Sequence, residues 1–164
     1  MNPCPCGFAG VKDRKCKCSE RDIVRYQQKL SGPLKDRIDL QVEVLPVDKN
    51  EILFIDSNND NKSCSKKIEI ARKMQAERYK NIKIKSNAEL QLKDIEKYCQ
   101  LDSKSKKILS QSYERLKLSV RGYIRLMRVA RTIADLNNNY KIKEPDLIKA
   151  VDFRWYAEKS EMLL

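Results

Sequence analysis

The chain has 164 residues, 41% of them hydrophobic, enough to close a core in one full-size domain or two small ones and to exclude a disordered tail. Lys and Arg total 35 against 23 Asp and Glu, a formal net charge of +12, which suits nucleic acid, nucleotide phosphates or an acidic protein without choosing among them. No uninterrupted apolar run reaches the ~20 residues that span a bilayer, and the N-terminus lacks the apolar segment of a signal peptide, so the expected setting is cytoplasmic.

Residues 1–18 read as a Cys/Pro/Gly/Lys-rich loop with two Cys-x-Cys pairs, Cys4/Cys6 and Cys16/Cys18. In a reducing compartment such clusters serve as metal ligands more often than as disulfides. Three readings stand side by side: a structural zinc knuckle, reduced unligated thiols, and a redox or disulfide switch. The spacing is tighter than the usual Cys-x₂-Cys. Pro5, Gly7 and Gly10 favour the turned loop a knuckle needs, and Lys12, Arg14, Lys15 and Lys17 would offset four thiolates around one zinc ion. The pattern therefore favours zinc. Cys64 and Cys99 stand alone in helical patterns and are expected to be small buried apolar residues.

Ser19, followed by Glu20 and Asp22, starts a helix through Ile23, Tyr26, Gln27 and Leu30. Ser31-Gly32-Pro33 ends it, and Pro33 opens a short helix through Leu34 and Ile38. Residues 40–45 alternate as a half-buried strand closed by Pro46. The Asn/Asp-rich stretch 48–62 reads as a connection. Helical periodicity then resumes: Ile68, Ala71, Met74, Gln75 and Tyr79; Leu92, Ile95 and Cys99; Ile108, Leu109, Tyr113 and Leu116. Ser119 caps what the pattern makes the longest helix, apolar on most of its circumference, with Arg121, Arg125 and Arg128 on one stripe and Asp135 further along. A last helix from about Glu144 carries Pro145 in its first turn and points Leu147, Ile148 and Val151 inward. Phe153, Trp155 and Tyr156 are expected to cap the bundle. The lysine runs 66/67, 80/83/85 and 104/106/107 read first as solvated faces and collectively as a salt-sensitive surface for nucleic acid.

A lone strand leaves its backbone groups unpaired, so the first fifty residues are expected to end a larger α/β unit and the chain to be a fragment. The expected division is 1–50, a connection at 51–62, and a bundle of about five helices at 63–164.

The segments NPCPCG, CKCS, SGPLKDRIDL and LSVRGYIRLMRVARTIADL, in that order, resemble the C-terminal part of the magnesium-chelatase-like AAA+ ATPases of the YifB/ComM family. The likeness runs from Asn2 to about Arg154, with 48–62 the weakest region. It implies a mostly α fold: the C-terminal end of an AAA+ α/β core (one strand, two helices, Cys-rich loop) followed by a helical lid bundle. It also implies that Asn2 is sensor 1, that Arg37 is an arginine finger reaching the γ-phosphate held by a neighbouring subunit, and that Arg121 is sensor 2, acting across the same interface. ATP with Mg is then the cofactor, a homo-oligomeric ring, hexameric when complete, the assembly, and DNA the substrate of a branch-migration motor. By its residues alone, Arg37 could equally form a salt bridge with Asp36 or Asp39. The chain departs from the family in having no GxxxxGK[ST] phosphate loop and no Walker-B strand, so by itself it is expected neither to bind ATP tightly nor to hydrolyse it. Two rivals remain: a non-enzymatic, zinc-containing helical DNA- or protein-binding module, and a chelatase subunit inserting metal into a tetrapyrrole, which the cysteine loop disfavours.

Overall fold

The computed structural model describes residues 1–11, 14–42, 44, 47 and 59–162. Among them are seven α-helices: α1 (Glu20–Gln27), α2 (Gly32–Lys35), α3 (Asn59–Arg78), α4 (Leu92–Tyr98), α5 (Ser103–Arg115), α6 (Val120–Leu136) and α7 (Glu144–Met162), with a single 3₁₀ turn at Asn87–Glu89. The protein is mostly α, and α3 to α7 form the helical lid. No helix among the described residues is long and apolar enough to cross a membrane.

Local chemistry sets most helix starts. Ser19 Oγ accepts from the Asp22 amide at 3.2 Å, and Ser119 Oγ accepts from the Gly122 amide at 3.0 Å, each satisfying a donor the helix cannot. Pro33 sits in the first turn of α2. Two caps went unread in the sequence: Asp102 accepts from the Ser105 amide at 2.7 Å, and Gln91 and Asp94 form a reciprocal capping box at α4. Both α5 and α6 end in Schellman turns. The amide of Leu118 returns to the Tyr113 carbonyl and that of Asn139 to Ala134, leaving Lys117 and Asn138 left-handed at φ 41° and 56°.

Helix α6 is the axis of the bundle, packed against α7, α3, α4 and the 3₁₀ turn. From Gly122 to Leu136 none of its residues is exposed, as its two-sided apolar pattern predicts. Leu126, Met127, Ala130 and Ala134 meet Leu90, Ile95, Ile142 and Leu147 in one core, each large side chain contributing about 1.5–3 kcal/mol by leaving water. A parallel bridge between Leu101 and Ile142 ties the loops at one end of the bundle.

Several expectations need correction. At 17 residues α6 is shorter than α3 at 20 and α7 at 19. Cys64 is exposed, whereas Cys99 is buried: α3 has one inward stripe, through Ala71 and Gln75 and continued by Tyr79 just past its end, and Cys64 lies outside it. Ile148 is exposed because Leu147 and Ala150 fill the α7 face that meets the core. The expected strand forms no ladder at residues 40–42 and 44; instead the Gln41 amide donates to the Phe153 carbonyl at 2.9 Å. Residues 43, 45 and 46, the 48–58 part of the connection, Lys12, and the side chains of Trp155 and Tyr156 lie outside the described residues.

Candidate functional site

The cysteine loop folds on itself through two tight turns. Gly7 and Gly10 take φ of 83° and 80°, values open to glycine at little cost, and the Gly7 amide donates to the Cys4 carbonyl at 3.0 Å. Sulfur separations are 3.4 Å for Cys4–Cys6, 3.7 Å for Cys4–Cys16 and 3.6 Å for Cys6–Cys16, and all four sulfurs lie within 4.8 Å of one another. A tetrahedral ion with ligands at ~2.3 Å would place its sulfurs ~3.8 Å apart. The donor set therefore fits a Cys₄ metal, with the Ala9 amide directed at Cys4 Sγ from 3.3 Å as an outer-shell donor. The thiols are electrostatically unequal. Backbone amides of Lys17 and Phe8 lower Cys6 to about 6; at Cys18 a hydrogen bond from the Cys6 backbone amide is outweighed by burial and the three neighbouring sulfurs, which push it up to about 12. Gln27 ties α1 to this loop, its Nε2 donating to the Pro3 carbonyl at 3.1 Å. Asn2 is exposed, its side-chain amide beside Gly7.

Arg37 and Arg121 sit on either side of a junction between the segment after α2 and the start of α6. The carboxylates that could have neutralised Arg37 are engaged elsewhere. Asp36 Oδ2 accepts from Ser119 Oγ at 2.9 Å and its Oδ1 faces Arg154 Nη2 at 3.7 Å, while Asp39 Oδ1 pairs with Arg125 Nη1. Arg37 and Arg121 are exposed, and among the described residues neither has an ion-pair partner. Arg121, Arg125 and Arg128 line a groove of about 620 Å³ together with Asp36, Ser119, Val120 and Ile124.

The arginine stripe of α6 thus has three fates. Among the described residues Arg121 has no ion-pair partner, Arg125 is paired, and Arg128 gives its Nε to the Leu90 carbonyl at 2.7 Å, closing the 3₁₀ turn onto α6. Below them Arg131, fully buried, binds Asp135 through Nε at 3.1 Å and the Tyr140 carbonyl at 2.7 Å. Burial lowers its guanidinium below the usual value, with Asp135 opposing and Arg78 adding to the shift. Arg154 is also lowered by burial, against the pull of Asp36 and with the push of Arg125. Two buried donors at the junction, Arg125 Nε and Arg154 Nη1, have no acceptor among the described residues. The sequence signalled Arg121, Arg125 and Arg128 by spacing but held no sign of Arg154, whose partner Asp36 is remote along the chain. Lys66, Lys67, Lys80, Lys83, Lys85, Lys104, Lys106 and Lys107 are all exposed.

Residues 58–154 match the family model described as magnesium chelatase, subunit ChlI C-terminal, and residues 1–52 match that of magnesium chelatase, subunit ChlI. The chain is 36% identical over 156 residues to the competence protein ComM of Haemophilus influenzae, covering 94% of this chain and 29% of that protein. It is 36% identical over 157 residues to YifB of Salmonella typhimurium, again with 94% and 29% covered, and 34% identical to YifB of Escherichia coli. The chain thus spans under a third of the length of these relatives.

Proposed function

The chain belongs to the magnesium-chelatase family, and from that premise we propose that it supplies the arginines completing a neighbouring subunit's ATP site in a ring-forming AAA+ motor. Arg37 is the finger, Arg121 is sensor 2, and Asn2 orients the attacking water as sensor 1. One observation carries this reading: Arg37 and Arg121 are both exposed and without an ion-pair partner among the described residues, although Asp36, Asp39 and three other arginines, Arg125, Arg128 and Arg154, crowd the same junction. An intramolecular salt bridge at Arg37 would have used one of those carboxylates.

Phosphoryl transfer spreads negative charge over equatorial oxygens, and a planar, permanently charged guanidinium can pair with two of them. Held at the edge of one subunit, Arg37 would do so only once a neighbour docks, which couples hydrolysis to assembly. The phosphate loop and Walker-B strand are not in this sequence, so the nucleotide-binding half must come from residues other than these. The four cysteines hold a structural zinc, which would cross-link a loop that buries little apolar surface of its own. The exposed lysines suit DNA as the track, held by sequence-independent, salt-sensitive contacts.

Hydrolysis by the assembled protein containing this chain, with Arg37→Ala and Arg121→Ala, tests the reading. Arg37→Ala is expected to lower kcat by ~10³-fold or more with ATP binding intact. Unchanged turnover in that variant rejects the finger and leaves the DNA-binding module as the better account.

A further inference from the structure

We propose that Asp36 and Asp39 are positioning residues that clamp the Arg37 segment onto the helix bearing Arg121, so that both exposed guanidiniums enter the neighbouring site as one rigid pair. The proposal rests on the roles assigned to Arg37 and Arg121 above and adds the mechanical link between them.

Four contacts make the clamp. Ser119 Oγ donates to Asp36 at 2.9 Å while accepting from the Gly122 amide, so one hydroxyl joins the Arg37 segment to the first turn of α6. Asp36 also faces Arg154 of α7 at 3.7 Å. Asp39 pairs with Arg125, one turn after Arg121. The Gln41 amide donates to the Phe153 carbonyl at 2.9 Å, so the backbone itself is docked on α7. Arg37 lies between the two aspartates and Arg121 between Ser119 and Arg125. Each cation is therefore bracketed by anchors on both sides in sequence.

An exposed ion pair taken singly contributes little, and Asp39 has 56% of its side-chain surface exposed. Here, however, four bonds close on one short segment, and each raises the local concentration of the others. Arg154 strengthens the point: its side chain is only 8% exposed, and a guanidinium buried to that extent costs stability unless a carboxylate offsets its charge. The division of labour also explains why Arg37 has no ion-pair partner among the described residues. The two acids flanking it serve the junction, so its charge is kept for an external anion.

Two measurements separate the clamp from the catalytic reading. In this chain, amide exchange at Gln41 is expected to be slow and to quicken by about 10–100-fold in Asp36→Asn/Asp39→Asn, with the middle turns of α6 unchanged. Unaltered Gln41 exchange overturns the clamp. Should the double variant loosen α6 as well, Asp39→Asn alone and wild type in 1 M salt give the same readout without unfolding, and no acceleration in either overturns the proposal. In the assembled protein, the double variant is expected to lower kcat by about tenfold at unchanged KM for ATP, with Asp39→Glu restoring most of it. Faster Gln41 exchange with unchanged kcat overturns the positioning role. If Arg37→Ala itself leaves kcat unchanged, the finger reading fails, and the exchange data still decide whether the clamp exists.

Discussion

Arg78 and Asp135, 57 residues apart, meet in a two-pronged ion pair inside the bundle, with Arg78 Nη1 2.9 Å from Asp135 Oδ2. Asp135 has none of its side chain exposed and also accepts from Asn87 Nδ2 at 2.8 Å and Arg131 Nε at 3.1 Å. One carboxylate thereby fixes α3, the 3₁₀ turn and α6 relative to one another.

Removing that carboxylate strands two guanidiniums in the interior. Asp135→Ala is expected to cost about 3–5 kcal/mol, the range for breaking a buried charge pair by one partner, read as a fall in the urea midpoint. Arg78→Met should cost less, because Arg131 still neutralises Asp135. Equal losses for the two variants would show that Arg131 does not share the charge.

Two backbone positions should respond in the stabilising direction. Lys117 holds φ of 41° at a turn position that favours glycine, so Lys117→Gly is expected to gain roughly 0.5–1 kcal/mol. A methyl group at Gly122 would meet Ser119 Oγ at 3.4 Å and Arg154 Nη2 at 3.5 Å, ordinary contacts. Gly122→Ala should therefore be neutral or gain up to ~1 kcal/mol from helix propensity. Denaturant midpoints that shift upward at constant m-value would bear this out.

The thiols should fall into three classes under native alkylation. Exposed Cys64 reacts at once, buried Cys99 resists, and Cys4, Cys6, Cys16 and Cys18 react only after a chelator removes zinc. Metal analysis of protein grown in zinc-replete medium should give about one ion per chain. Immediate labelling of all four loop cysteines in metal-loaded protein would remove the knuckle.

Alkaline pH should weaken the lid from inside. Burial raises Cys99 from 9.0 to about 12 and Tyr79 from 10.0 to about 12, so the fold prefers both groups neutral. Their contribution is complete below pH 9 and is lost as pH climbs towards 12, where the unfolded chain ionises first. The thermal midpoint is expected to fall across that window. Cys99→Ala, though less stable at neutral pH through its cavity, should show a shallower alkaline decline.

The helices were legible because their signals are local. Ser19, Pro33, Ser119 and Pro145 mark starts by chemistry reaching no further than three residues. The 3.6-residue spacing of Leu126, Met127, Ala130 and Ala134 told that α6 is wrapped by neighbours. Cys4, Cys6, Cys16 and Cys18 could be grouped because their turns are short and glycine-bearing. Cys64 and Ile148 were misread, since a residue beside an apolar stripe looks from the sequence like one within it.

The amino-acid order by itself determined a helical bundle with capped starts, a thiol-rich loop and an excess of cations, all set by interactions a few residues long. Only the tertiary structure decided which cations are spent. Asp36 and Asp39 could have quenched Arg37, Asp135 could have stayed on the surface, and Arg154 carried no signal at all. Ion pairing depends on distances between chain-remote groups and on the burial that strengthens or forbids a charge, and those quantities exist only once the helices have packed.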